Sequence, residues 1–91
     1  MISENRNDLK VLIYLFEKKV NSRMKARKAR TISEDEDVKL SDTKVRQALN
    51  NYVNEGLVAK GCKEGKADTY FITEQGIEYV ADNFNINLVD N

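Results

Sequence analysis

Gln47, Asn50 and Asn51 stand within five consecutive positions, on a run from Ser41 to Gly56 that also carries Thr43, Lys44 and Arg46. A side-chain amide presents a donor and an acceptor side by side, which is the pattern that the edge of adenine matches. Arg46 and Lys44 suit the acceptors of guanine or a phosphate oxygen. The chemistry open to such a set is recognition through hydrogen bonds, without bond breaking. The plain alternative is a solvated helix face, but lysine and glutamate form helix better than asparagine does. A concentration of amides here therefore favours contact with something other than water.

Little else in the chain can do chemistry. There is no histidine and a single cysteine, Cys62. Structural zinc sites draw on cysteine and histidine clusters, and acid–base or nucleophile–base pairs at neutral pH mostly use histidine. No carboxylate pair sits in an apolar stretch that would shift its ionisation. We expect no catalytic residues, no metal, no cofactor and no small-molecule ligand, and the chain is not expected to be an enzyme. Cys62 reads as a small strand residue in preference to a redox switch. A lone cysteine forms no internal disulfide and fits a reducing compartment. No apolar run reaches the roughly 18 residues of a membrane span. The first residues lack the basic start and small-residue cleavage site of a secretory signal, so a cytoplasmic location is expected.

The formal net charge is zero, yet the charges are segregated along the chain. Seven bases and no acid fall between Lys18 and Arg30, and Glu34, Asp35, Glu36 and Asp37 follow as an acidic block. From Val38 to Lys66 bases again lead, six to three, and beyond Lys66 there is no lysine or arginine at all. A local basic patch, not the net charge, is what meets phosphates. Candidate backbone contacts are Arg23, Lys25, Arg27 and Lys28 in the first basic run, and Lys60, Lys63 and Lys66 further on.

These side chains need elements to position them. At 91 residues the chain is expected to form one domain, 1–91, with a thin core. A first helix is predicted from Asn7 or Asp8 to about Lys19 or Val20, with Leu9, Leu12, Ile13, Phe16 and Val20 as its core stripe. Val11, Tyr14 and Leu15 then fall on its back, which calls for a second cover. That cover is either the tail residues Ile86, Leu88 and Val89 or a second subunit, and these six positions are expected at a homodimer seam. Met24 to Arg30 favours a short second helix by propensity, with Ala26, Ala29 and Ile32 inward. The third helix is predicted over about 42–55, capped by Ser41 or Asp42 and ended by Gly56. Val45, Ala48, Leu49, Tyr52 and Val53 share its inner side, opposite the amides. Residues 57–73 read as two strands around the turn Lys63-Glu64-Gly65-Lys66, with Tyr70 and Ile72 inward and Thr69 and Phe71 outward. Thr73 caps a last helix over about 74–84.

The segments S-D-T-K-V-R-Q-A-L-N-N-Y-V-N-E-G-L-V (Ser41 to Val58) and T-Y-F-I-T-E-Q-G-I-E-Y-V (Thr69 to Val80) resemble the winged-helix (winged helix-turn-helix) family of bacterial and archaeal transcription regulators. The likeness covers most of residues 7–84. It implies an α+β fold of three core helices, a two-stranded hairpin wing and a C-terminal helix. It further implies sequence-specific binding of double-stranded DNA: the third helix would read the major groove through Thr43, Lys44, Arg46, Gln47, Asn50 and Asn51, and the wing at 60–66 would touch the backbone. Readers of symmetric sites are dimers, so a homodimer is expected. A winged-helix module that binds protein and no DNA is the alternative. The chain departs from the family at Thr31 to Lys39, where an acidic excursion replaces a tight turn between the second and third helices.

Overall fold

The computed structural model describes residues 6–84. Its elements run in the order α1 (Arg6–Glu17), β1 (Arg27–Lys28), α2 (Ala29–Ser33), α3 (Asp42–Asn54), β2 (Val58–Lys60), β3 (Thr69–Ile72) and α4 (Glu74–Phe84). Helices thus combine with one small antiparallel sheet, ordered β1-β3-β2. The expected seam residues Ile86, Leu88 and Val89 lie outside the described residues. No helix among those described is long and apolar enough to cross a membrane.

α3 begins where the sequence says it should. Ser41 is extended (φ −69°, ψ 158°), and its Oγ accepts from the Lys44 amide at 3.2 Å. That bond satisfies one of the donors a helix start leaves orphaned. The chain turns out of the helix at Gly56, whose φ of +82° is the left-handed conformation that glycine adopts without a Cβ penalty. Val45, Ala48, Leu49 and Tyr52 are buried from this helix, and Val53 packs at the edge of the core. Thr73 joins the end of α3 to the start of α4. Its Oγ1 donates to the Gly56 carbonyl at 2.7 Å and accepts from the Gly76 amide at 3.1 Å, capping α4.

The basic run does not form the expected helix. Arg27 and Lys28 are a strand, pairing antiparallel with Tyr70 and Thr69 of β3, and the Ile72 amide extends the same edge to the Val20 carbonyl at 2.8 Å. Helix propensity gives way because β3 would otherwise present an open row of donors and acceptors. Only five residues, Ala29–Ser33, remain for α2. Ala29 and Ile32 face inward as expected.

The expected stripe is buried in part, with Leu12 at 0% and Val20 at 1% exposure, and the core also takes the side of α1 that was expected to be its back. Val11, Tyr14 and Leu15, expected at a subunit seam, are 0%, 3% and 0% exposed within this chain. Leu9, Ile13 and Phe16, expected in the core stripe, are only half-buried. A helix apolar nearly all round carries no preferred side of its own, and the neighbours choose. Here α3, α4 and β3 pack against α1 and take the Val11–Leu15 side. Burying each such leucine or valine contributes about 1.5–3 kcal/mol.

Thr69 also faces inward, against expectation: it is 2% exposed. A buried hydroxyl needs a partner, and its Oγ1 donates to the Cys62 carbonyl at 2.5 Å. Phe71 is half-buried against the core. The acidic excursion begins in the last residues of α2 and continues as a turn. Val38 anchors it in the core at 1% exposure, and the Asp37 amide donates to Asp35 Oδ1 at 2.8 Å. Asp37 and Val38 border a small cavity of about 120 Å³ on α1, beside Lys10 and Lys18. This part of the excursion therefore lies against α1.

Candidate nucleic-acid interface

The amide set sits on α3 because the buried side chains of that helix leave a single free face. Thr43, Lys44, Arg46, Gln47, Asn50 and Asn51 are all exposed. Thr43, Lys44, Gln47 and Asn50 have no side-chain hydrogen bond or ion pair among the described residues. Their donors and acceptors are available to a ligand. The other two are engaged. Arg46 Nη2 donates to Asp42 Oδ2 one turn earlier at 2.9 Å, while Asn51 Nδ2 donates to Asp8 Oδ2 at 3.2 Å. Asn51 thus ties α3 to the start of α1, and the set divides into reachable amides and a structural one.

The cations reach the same neighbourhood by three routes. Lys28 comes from β1, Arg30 from α2 and Lys66 from the hairpin turn, and with Arg46 they border one groove of about 270 Å³. Ala29, Ala67, Asp68 and Tyr70 complete its lining. Arg30 was absent from the candidate contacts, although its place in the acid-free run was the signal that could have found it. The turn that carries Lys66 is closed by pairing between Glu64 and Ala67, with Gly65 at φ +62°.

The remaining bases are distributed differently. Arg27 Nη1 donates to the Tyr14 hydroxyl at 2.6 Å, and the guanidinium lies 5.9 Å from the centroid of that ring. Arg27 therefore pins β1 onto α1, a cation–π and hydrogen-bonded contact. Arg23 and Lys25 are exposed in the segment that crosses the start of the hairpin, where a Cβ on Gly61 would lie 3.0 Å from the Arg23 carbonyl oxygen. Lys60 and Lys63 share Asp68, at 3.4 and 4.0 Å, and Lys28 approaches Glu64 at 3.8 Å. Arg30 pairs with Glu34 at 3.4 Å. Lys66 carries no ion pair among the described residues. Exposed pairs of this kind contribute little to stability. Among the described residues, no group of three or more His, Cys, Asp or Glu side chains could hold a metal.

The fold and site together define a small helical domain that presents a polar helix beside a basic groove and a lysine-bearing hairpin. No family model matches the chain. It is 35% identical to DNA-binding protein TubR of the Clostridium botulinum C phage, over 77 residues that cover 81% of this chain and 89% of the relative. The solution structure of the DNA-binding TubR fragment from Clostridium botulinum superposes with a TM-score of 0.72 at 30% identity, covering 88% of this chain and 96% of that one. TubR from Bacillus megaterium pBM400 shares the fold, with a TM-score of 0.74 at 23% identity over 90% of this chain and 88% of the other. The chain belongs to the TubR family.

Proposed function

We propose that this chain is a sequence-specific double-stranded DNA-binding protein of the winged-helix type that acts as a transcriptional regulator. α3 reads the major groove through Thr43, Lys44, Arg46, Gln47 and Asn50, while the hairpin acts as the wing and grips the backbone. The observation that carries the reading is the free polar face of α3 beside the groove bordered by Lys28, Arg30, Arg46 and Lys66. Hydrogen-bonding groups without partners supply sequence readout, and cations drawn from separate elements supply the phosphate contacts that fix register. Support also comes from the related phage protein and the botulinum fragment, both described as DNA-binding.

Asn51 takes a supporting role, holding α3 against α1 through Asp8. Lys60 and Lys63 act from the wing, with Arg23 and Lys25 beside its base. Two copies on a symmetric site are the arrangement we propose, with a seam that uses surface other than Val11, Tyr14 and Leu15. A net charge of zero keeps the alternative of a protein-binding module in view. Binding to random duplex DNA across a salt series, with sizing of the protein, tests the reading. We expect affinity that falls steeply as salt rises. No affinity even at low salt would favour the protein-binding module.

A further inference from the structure

Among the described residues, Asp68 is the only acid that lines the basic groove. Its Oδ2 lies 3.4 Å from Lys60 Nζ and its Oδ1 lies 4.0 Å from Lys63 Nζ. The carboxylate thus stands between two wing lysines on one side and the groove of Lys28, Arg30, Arg46 and Lys66 on the other. It is less exposed than either lysine, at 35% against 52% and 67%.

We propose that Asp68 is a built-in counter-anion that limits how strongly this protein grips duplex DNA regardless of sequence. The inference rests on the DNA-binding reading above. A phosphate entering the groove approaches a carboxylate of its own sign, and that repulsion is relieved only while a lysine stays on Asp68. One of Lys60 and Lys63 is therefore held back whenever the wing meets the backbone. The pairing is weak enough to exchange and too close to ignore. Phosphate contacts carry no sequence information, so withholding one shifts the balance of binding towards the amides of α3.

Removing the charge at 68 is expected to release the retained lysine and add one phosphate contact. The log–log dependence of affinity on salt should steepen by about 0.9, which amounts to roughly a threefold larger loss of affinity between about 50 and 200 mM salt. The test measures binding of the full chain to random duplex DNA over that range for the wild type, Asp68→Asn and Asp68→Glu, with the melting temperature of each. Asp68→Asn should bind random duplex severalfold tighter at the low end and show the steeper slope, while Asp68→Glu should track the wild type. If Asp68→Asn does not fold, Asp68→Ser removes the same charge and carries the same expectation. An unchanged slope in a folded charge-removing variant, or Asp68→Glu behaving like Asp68→Asn, overturns the counter-anion role and leaves the DNA-binding reading standing. A wild type with no affinity for duplex at about 50 mM salt overturns the DNA-binding reading itself.

Discussion

Arg46 reaches back one turn of α3 to Asp42, Nη2 to Oδ2 at 2.9 Å. The other carboxylate oxygen, Oδ1, is buried without a hydrogen-bond partner among the described residues. The pair orients a guanidinium that borders the groove, so each residue should matter through the other. A double-mutant cycle with Asp42→Ala and Arg46→Ala, read as affinity for a selected DNA site, is expected to give a coupling of about 0.5 kcal/mol or more. Additive effects would mean that Asp42 does not aim Arg46.

Gln47 and Asn50 have no competing partners, and truncating them should remove readout without disturbing the fold. Gln47→Ala or Asn50→Ala is expected to cost about 1–3 kcal/mol at the preferred site while leaving random-duplex affinity and melting temperature near the wild-type values. Equal losses on preferred and random DNA would move the reading face elsewhere.

Lysines of the same type should differ according to their partners. Lys66 is free of ion pairs among the described residues, and Lys60 is held by Asp68. Lys66→Gln is expected to reduce the salt slope by about 0.9, and the double variant Lys60→Gln with Lys63→Gln by no more than that, because Asp68 already retains one of the two. Salt titrations of the two variants side by side check the ranking.

Leu15 separates a core from a seam. Because it is 0% exposed inside this chain, Leu15→Ala should destabilise by about 2–5 kcal/mol. Denaturant melts at several protein concentrations should show the same loss at each. A loss that grows on dilution would indicate that Leu15 supports an interface between subunits.

Tyr52 is fully buried, and its hydroxyl ionises well above the usual value of 10.0, chiefly because burial disfavours the phenolate, with Asp8 and then Tyr79 adding to the effect. The unfolded chain then loses this proton first. Stability from this group is whole below pH 10.0 and falls as pH rises past it, by about 1.4 kcal/mol per pH unit. Tyr52→Phe should flatten that alkaline decline in denaturant melts taken across the range.

How much of this was legible from the residues depends on whether a feature is local. The start and stop of α3 follow from Ser41 and Gly56 acting on their own turns, and its inner and outer faces follow from spacing alone. The hairpin and the Thr73 cap are equally local. β1 was hidden because Arg27 and Lys28 become a strand only through the edge of β3, a partner more than forty positions away. The face of α1 was hidden because Val11 and Leu15 compete with Leu9 and Ile13 on equal chemical terms, and only packing decides. Within the site, the amides announced themselves by type. Asn51 did not reveal its tie to Asp8, and Arg30 and Asp68 join one groove only after the chain has folded.

Thr73 bridges the end of α3 and the start of α4, with Oγ1 bonded both to the Gly56 carbonyl and to the Gly76 amide. Its own amide donates to the Leu57 carbonyl at 2.9 Å. The root of the hairpin is therefore locked to the helix, whereas its tip at Gly65 has open space around it. Residues inserted at the root would misalign everything beyond it; the same residues inserted at the tip would only lengthen the reach. Within this hairpin, length can change at the tip while aim is held at the root.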